Sequence, residues 1–300
     1  MKLTNIFSML GGLALFLYGM NMMSNGLELA AGNKMKTILE KLTSNRILGV
    51  LVGALVTAII QSSSATTVMV VGFVNSGLMS LTSAVWVIMG ANIGTTITGQ
   101  LIAIDITAIA PLIAFIGVAM IVFFKSKKLD AFGSVIGGLG ILFIGMETMS
   151  NAMVPLRTMP EFVGLISKFQ NPFIGILVGA LFTALIQSSS ASVGILQALA
   201  KSGVMTLSSS IYVLFGQNIG TCITSVLASI GTSKNAKRTT IIHLTFNIIG
   251  TVIFVSISML FPFAHLVESI TPNNVAAQIA NVHTIFNVAT TLLLLPIGTN

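Results

Sequence analysis

Gly49-Val-Leu-Val-Gly-Ala-Leu-Val-Thr-Ala-Ile-Ile-Gln-Ser-Ser-Ser-Ala65 recurs, 126 positions on, as Gly175-Ile-Leu-Val-Gly-Ala-Leu-Phe-Thr-Ala-Leu-Ile-Gln-Ser-Ser-Ser-Ala191. Only the pairs 50/176, 56/182 and 59/185 differ. The register holds outward without a gap. Gly77 falls on Gly203, Asn92-Ile-Gly-Thr95 on Asn218-Ile-Gly-Thr221, and Gly19-Met20 on Gly145-Met146. A self-match of this length marks an internal repeat. The chain divides into a first unit over 3–125, a second over 129–230, and a tail over 239–296 with two further apolar segments.

Of the 300 residues, 54% are hydrophobic and 7% charged, and the mean hydropathy is +1.00. A soluble domain carries about 25% charged residues. The composition therefore excludes a soluble enzyme, a nucleic-acid binder and a disordered chain; the expected partner is a lipid bilayer. The net charge of +7 comes from 14 Lys and Arg in short gaps between apolar runs, the pattern of cytoplasmic membrane loops. Cys222 is the single cysteine, so neither an intrachain disulfide nor a cysteine metal cluster is available. The N-terminal apolar run passes Met20 without a small-residue cleavage site, and it reads as a retained membrane helix.

The first unit holds apolar segments at 3–30, 47–75, 80–104 and 107–125, and the second matches the first three at 129–152, 172–202 and 206–230. The tail adds 239–262 and 275–296. A spanning helix needs about 20 apolar residues. Segment 47–75 is too long for one straight span, at about 43 Å, and Gln61-Ser62-Ser63-Ser64 interrupts its middle. Each arm, about 21 Å long, reaches the bilayer midplane and returns. The reading is a re-entrant hairpin with its tip at Gln61–Ser64, and a twin over 172–202 with its tip at Gln187–Ser190. Segment 80–104 is expected to unwind at Gly90-Ala-Asn-Ile-Gly-Thr-Thr96, and its twin at Gly216-Gln-Asn-Ile-Gly-Thr-Cys222. Irregular backbone at that depth persists only in protein or beside a cavity.

Hairpins leave three crossings per unit, an odd number, so the second unit is inverted. With the N-terminus outside, the loops 31–46, 125–128 and 231–238 place ten of the 14 basic residues inside; Lys2, Arg157, Lys168 and Lys201 stay outside. Fully crossing segments would place nine inside. The fold class expected is an all-α polytopic membrane protein with about seven spans. It has two inverted-topology repeats, each with a re-entrant hairpin and a discontinuous helix. The setting is a bacterial-type inner membrane, with the C-terminus cytoplasmic. Two stretches at helical spacing, Met35, Ile38, Leu39 and Leu42, then Met159, Phe162, Val163 and Ile166, suit the membrane surface.

The paired tips carry the chemistry. Gln61, Ser62, Ser63 and Ser64, with Gln187, Ser188, Ser189 and Ser190, offer hydroxyls that both donate and accept. Each tip also begins a half-helix whose free N–H groups attract anions. Inverted repeats with broken helices meeting at a central site mark secondary transporters. No Lys or Arg adjoins either tip in sequence, so an anion there lacks a fixed cation. Thr66, Thr67, Asn92, Thr95, Thr96, Ser192, Asn218 and Thr221 supply hard oxygen ligands for Na⁺, which brings the missing charge; no other cofactor is expected. Small-residue packing between helices is the competing reading of the serines. Glu147 lies inside an apolar segment, where an ionisable group is a functional candidate. His243 with Asn247 and His283 with Asn287 repeat a His-x-x-Phe-Asn pattern, read mainly as helix packing, with a supporting or proton-site role as the rival. Three scattered histidines do not suggest a metal centre. Asp105 completes no Ser-His-Asp set, so a membrane serine hydrolase is remote and the chain is read as a non-enzyme. Cys222 is read as packing.

The doubled Gln-Ser-Ser-Ser, continued as Ala-Thr-Thr67 and Ala-Ser192, together with two Asn-Ile-Gly-Thr breaks, resembles the type II sodium–phosphate cotransporter family. The resemblance runs from about Gly11 to Asn287. It implies Na⁺-coupled phosphate symport, with both tips and the neighbouring unwound helices forming the site. Many bacterial members continue into a PhoU-like helical domain, so this chain corresponds to a short member or to the membrane part alone. The residues by themselves name only an anion with several acceptor oxygens; the resemblance names phosphate. Alternatives are a sodium-coupled transporter of another oxyanion, an anion channel, or a phosphate-sensing membrane protein. A homo-oligomer is compatible with all of them.

Overall fold

The computed structural model describes residues 2–31, 38–39, 45–104, 106–124 and 126–296. Lys34, Met35, Lys36, Lys41, Leu42, Asp105 and Lys125, on which parts of the topology and surface readings rest, lie outside the described residues. Among those described, the regular structure is helical. The helices are α1 (Leu3–Ala31), α2 (Arg46–Ile60), α3 (Ser63–Asn75), α4 (Leu81–Gly94), α5 (Thr96–Ala103), α6 (Ala110–Phe123), α7 (Lys127–Met153) and α8 (Pro160–Ser167). They continue with α9 (Pro172–Ile186), α10 (Ser189–Lys201), α11 (Leu207–Gly220), α12 (Ile223–Ala228), α13 (Lys234–Leu260), α14 (Phe263–Ile270) and α15 (Val275–Leu294). The 126-residue shift carries α2 onto α9, α3 onto α10 and α4 onto α11 to the residue. Equal local sequence has produced equal helix boundaries.

Glycines set the packing directions. A Cβ on Gly90 would collide with the Val50 carbonyl, one on Gly49 with Trp86, and one on Gly94 with the Ala54 carbonyl. Early residues of α2 thus meet early residues of α4, and late meet late: the two helices run parallel. The chain between them, α3 included, has therefore turned back to the end it started from. Gly216 against Ile176, Gly175 against Tyr212 and Gly220 against Ala180 repeat the arrangement for α9 and α11. By contrast α1 and α7, which the repeat equates, pack antiparallel. Gly12 meets Gly145, Gly19 meets Gly138 and Gly26 meets Ala131 at seven-residue steps.

Five helices are long and apolar enough to cross a membrane: Leu3–Ala31, Leu81–Ala103, Lys127–Thr158, Leu207–Ala228 and Lys234–Leu260. A sixth results if Pro160–Gln170 and Pro172–Ile186, bent by 103°, count as one span. About seven were expected. The segment at 107–125 yields only a short apolar helix. The last, α15, is diluted by polar residues that the structure buries: Gln278, His283, Asn287, Thr290 and Thr291. The expected unwinding at 90–96 also narrows. Helix α4 runs through Asn92 to Gly94, and Thr95, still right-handed, donates its N–H to the Ala91 carbonyl at 3.0 Å. The interruption is Thr95 in the first unit, and Thr221 with Cys222 in the second.

The exterior is apolar, with Phe173, Leu185 and Leu260 each more than three-quarters exposed. Many polar groups are inside. This is the distribution of a multi-pass membrane protein, since water would not tolerate so much exposed apolar surface. Phe215, Phe254 and Phe286 pack with ring centroids 5.1 to 5.9 Å apart, tying α11, α13 and α15 together. Of the surface stretches, Leu39 is fully buried, Ile166 is buried, and Val163 is exposed.

Candidate functional site

Each tip is a two-residue turn between helices. Gln61 takes the left-handed conformation (φ 58°), ends α2 and donates its N–H to the Thr57 carbonyl at 2.7 Å. Ser62 is extended, and its Oγ accepts from the Ala65 N–H at 3.1 Å, capping α3. Gln187 (φ 60°) and Ser188 repeat this, with Ser188 Oγ accepting from the Ala191 N–H at 3.2 Å. A left-handed helix end followed at once by a serine N-cap reverses the chain in the fewest residues. It leaves the first N–H groups of α3 and α10 at the tips.

The two tips meet. Ser63 Oγ lies 3.4 Å from Ser189 Oγ, and the Ser64 hydroxyl donates to the Gln187 carbonyl at 3.3 Å. Thr95 Oγ1 is 3.3 Å from Ser189 Oγ and 3.4 Å from Ser190 Oγ. Sequence reasoning missed Thr98, whose Oγ1 donates to Gln61 Oε1 at 2.8 Å and sits 3.1 Å from Ser190 Oγ. Its signal was there: a third threonine in Thr95-Thr96-Ile-Thr98, in an apolar helix. Ser63, Ser189, Ser190, Thr95, Thr98 and Gln61 are all buried, while Gln187 is exposed. No lysine or arginine hydrogen-bonds to a tip side chain among the described residues.

The residues expected to hold a cation fall into two groups. In the first unit most hydroxyls are committed. Thr57 donates to Thr66 at 3.0 Å, Thr66 to the Ser62 carbonyl at 3.2 Å, Thr67 to the Ser64 carbonyl at 3.1 Å, and Thr96 to the Ile93 carbonyl at 2.8 Å. In the second, Ser192 Oγ and Thr221 Oγ1 of the expected set are buried without a partner, as are Thr183 Oγ1 on α9 and Gln217 Oε1 on α11, outside that set. Gln217 Nε2 donates to the Ser192 carbonyl at 3.1 Å, which joins the two residues. Asn92 and Asn218 face His243 and His283, so the tail histidines adjoin both breaks. Cys222 lies against this group, taking a hydrogen bond from Asn247 Nδ2 at 3.3 Å. Glu147 is exposed on α7 and outside the tip cluster.

The Na⁺/Pi-cotransporter family model matches residues 15–151 and 158–272, most of the chain. The chain belongs to the Na⁺/Pi-cotransporter family. Relatives of this family member include the "Uncharacterized protein YqeW" of Bacillus subtilis (strain 168), 33% identical over 94% of this chain and 91% of the relative. The "Putative inorganic phosphate export protein YjbB" of Escherichia coli (strain K12) is 27% identical over 96% of this chain but only 53% of its own length. The chain thus spans about half the length of YjbB. The "Sodium-dependent phosphate transport protein 2A" of Rattus norvegicus is 40% identical over 34% of this chain and 16% of the relative. No solved structure gives a significant match. Family membership makes the chain one of a group of membrane transporters for phosphate.

Proposed function

We propose that the chain is a sodium-coupled symporter that carries inorganic phosphate into the cell across a bacterial inner membrane, with its N-terminus outside and C-terminus cytoplasmic. The observation that carries this is the meeting of the tips: Ser63 and Ser189, 126 residues apart in sequence, lie 3.4 Å apart at the starts of two helices. Gln61–Ser64 and Gln187–Ser190 bind phosphate through hydroxyls and helix-start N–H groups. Thr66, Thr67, Asn92, Thr95 and Thr96 in the first repeat, and Ser192, Asn218 and Thr221 in the second, are the oxygen set for Na⁺. The partnerless oxygens of Ser192 and Thr221 support that assignment. The parallel pairing of α2 with α4 supports re-entrant hairpins over 47–75 and 172–202. The antiparallel pairing of α1 with α7 supports inverted repeats over 3–125 and 129–230.

Coupling has an energetic reason. Each negative charge entering against an inside-negative potential costs about 2.3 kcal/mol per 100 mV. A phosphate dianion therefore needs at least two Na⁺ to cancel its charge. Helix ends supply only about half a charge each. Phosphate and Na⁺ are expected to tighten each other's binding by the same factor, about 1–3 kcal/mol.

Labelled phosphate uptake into proteoliposomes, with and without an inward Na⁺ gradient, tests the reading. Uptake that needs the gradient supports it. Flux indifferent to Na⁺ indicates a channel, binding without flux a sensor, and competition by sulfate or carboxylates another oxyanion. A second reading, efflux, is favoured by the name of the YjbB relatives, phosphate export proteins. Net phosphate exit under an imposed sodium gradient would select it.

A further inference from the structure

The two His-x-x-Phe-Asn elements of the tail reach the two helix breaks by contacts of matching length. His243 Nε2 is 3.3 Å from Asn92 Oδ1, and His283 Nε2 is 3.2 Å from Asn218 Oδ1. The protons on either side differ.

At the second break the amide is held by its own helix. Asn218 Nδ2 donates to the Leu214 carbonyl at 3.2 Å, so Oδ1 is the atom facing the ring. An amide oxygen only accepts, and His283 therefore carries its proton on Nε2. Its Nδ1 is then bare, in keeping with a buried Nδ1 that has no partner. Asn287 Nδ2 makes a longer donation, 3.5 Å, to the same Asn218 oxygen.

At the first break the order reverses. The Ser225 hydroxyl spends its one proton on the Cys222 carbonyl at 2.8 Å. Its lone pair is what faces His243 Nδ1 at 3.2 Å, so a neutral His243 is protonated on Nδ1 and its Nε2 accepts. An accepting Nε2 against Asn92 Oδ1 would set two lone pairs head-on. Asn92 Nδ2, meanwhile, is buried with no partner. Exchanging the near-isosteric oxygen and nitrogen of this amide removes both faults together. Nδ2 then donates to His243, and Oδ1 occupies the partnerless position. An imidazolium would also relieve the clash. However, the ring is 1% exposed and, among the described residues, hydrogen-bonds only to Ser225 and Asn92, an environment that strongly disfavours a charge.

We infer that His243 and His283 are held as opposite neutral tautomers, and that His243 is a positioning residue that leaves the Asn92 amide oxygen free at the first break while His283 and Asn287 occupy that of Asn218. The breaks, alike in sequence, are unequal as cation sites. The first offers a hard amide oxygen suited to a cation such as Na⁺; of the set proposed above, Asn218 is thereby removed, and the second must rely on Ser192, Gln217 and Thr221. The cation role rests on the symport reading above; the tautomers do not.

The tautomers are measured directly. The chain has three histidines, His243, His265 and His283, and ¹³C,¹⁵N-histidine labelling of the full chain in nanodiscs, with His265→Gln to simplify assignment, distinguishes the ring forms by NMR. The expected result is Nδ1–H at 243 and Nε2–H at 283. The same tautomer at both, or an imidazolium at 243 at neutral pH, overturns the inference whatever the substrate proves to be. The functional arm is the sodium dependence of phosphate uptake. His243→Leu is expected to raise the half-saturating Na⁺ concentration about tenfold, the worth of one ligand. His283→Leu should shift it less than about twofold. His243→Gln, whose amide oxygen can accept from Asn92, should restore most of the loss without changing the phosphate KM at saturating Na⁺. Equal shifts from the two leucine variants, or no rescue by glutamine, would refute the positioning role. Should a leucine variant fail to fold, the wild-type tautomers decide.

Discussion

The two tips share sequence, backbone angles and capping bonds, but they keep different company. At the first, Gln61 is buried and its side-chain oxygen takes the Thr98 hydroxyl. At the second, Gln187 is exposed, and Thr224, the counterpart of Thr98, turns to its own helix and donates to the Thr221 carbonyl at 3.2 Å. Thr57 and Thr66 are hydrogen-bonded, whereas their counterparts Thr183 and Ser192 both lack partners. Thr95 touches the opposite tip through Ser189 and Ser190, while Thr221 has no side-chain partner. The break of the first repeat is thus docked on the tip of the second, without the reciprocal contact. Local chemistry makes the halves equal; their neighbours make them differ.

The largest expected effect concerns what the halves share. Gly90→Val and Gly216→Val each drive a side chain into a backbone carbonyl and should cost about 3 kcal/mol or more. Folded yield and melting temperature in detergent should fall equally for both. A tolerated substitution in one half would mean that the parallel helix pairs are not equivalent.

Phosphate affinity tests the docking. Ser189 Oγ lies within hydrogen-bond distance of both Ser63 and Thr95, whereas among the described side-chain oxygens Ser63 Oγ pairs with Ser189 alone. A lost hydrogen bond to a charged ligand costs about 1.5–3 kcal/mol, or about 10- to 150-fold in affinity. Ser189→Ala should fall at the upper end and Ser63→Ala at the lower, as measured by calorimetry with phosphate in sodium buffer. Wild-type affinity in both well-folded variants would remove the tips from the binding site.

Stability separates the threonines. Thr98→Val strands the buried Gln61 oxygen, at about 1–3 kcal/mol; Thr224→Val should stay within about 0.5 kcal/mol. Equal losses in thermal unfolding would erase the asymmetry. The smallest effect lies at the turn residues. Gln187→Gly relieves a left-handed side-chain conformation and should gain up to about 1 kcal/mol. Gln61→Gly gains no such margin, because it also forfeits the Thr98 bond.

The repeat was legible as a self-match, and the turns at 61–64 and 187–190 were legible because each depends on residues a few positions apart. A polar quartet in an apolar run must turn, and a serine after a left-handed glutamine must cap. Helix breaks were legible in place but not in extent. Gly90 and Gly94 read as unwinding signals, yet they serve the close approach of α2 to α4 within intact helix. The polar inner face of α15 was hidden because a run such as Leu292–Leu295 outweighs scattered amides in a hydropathy count.

Tertiary structure alone decided the pairings. The Asn-Ile-Gly-Thr motif itself does not separate Asn92 from Asn218, although their neighbours Ala91 and Gln217 differ, and Thr98 and Thr224 occupy matched positions in helices of different sequence. The unrepeated tail distinguishes the asparagines: α13 brings His243 with Ser225 behind it, and α15 brings His283 with nothing at its Nδ1. A hydrogen-bonding group in a low-dielectric interior takes whatever donor or acceptor its neighbours present, and those neighbours come from elsewhere in the chain. Twin sequences therefore specify twin backbones, while the protons and free oxygens that bind ions follow from what is packed against them.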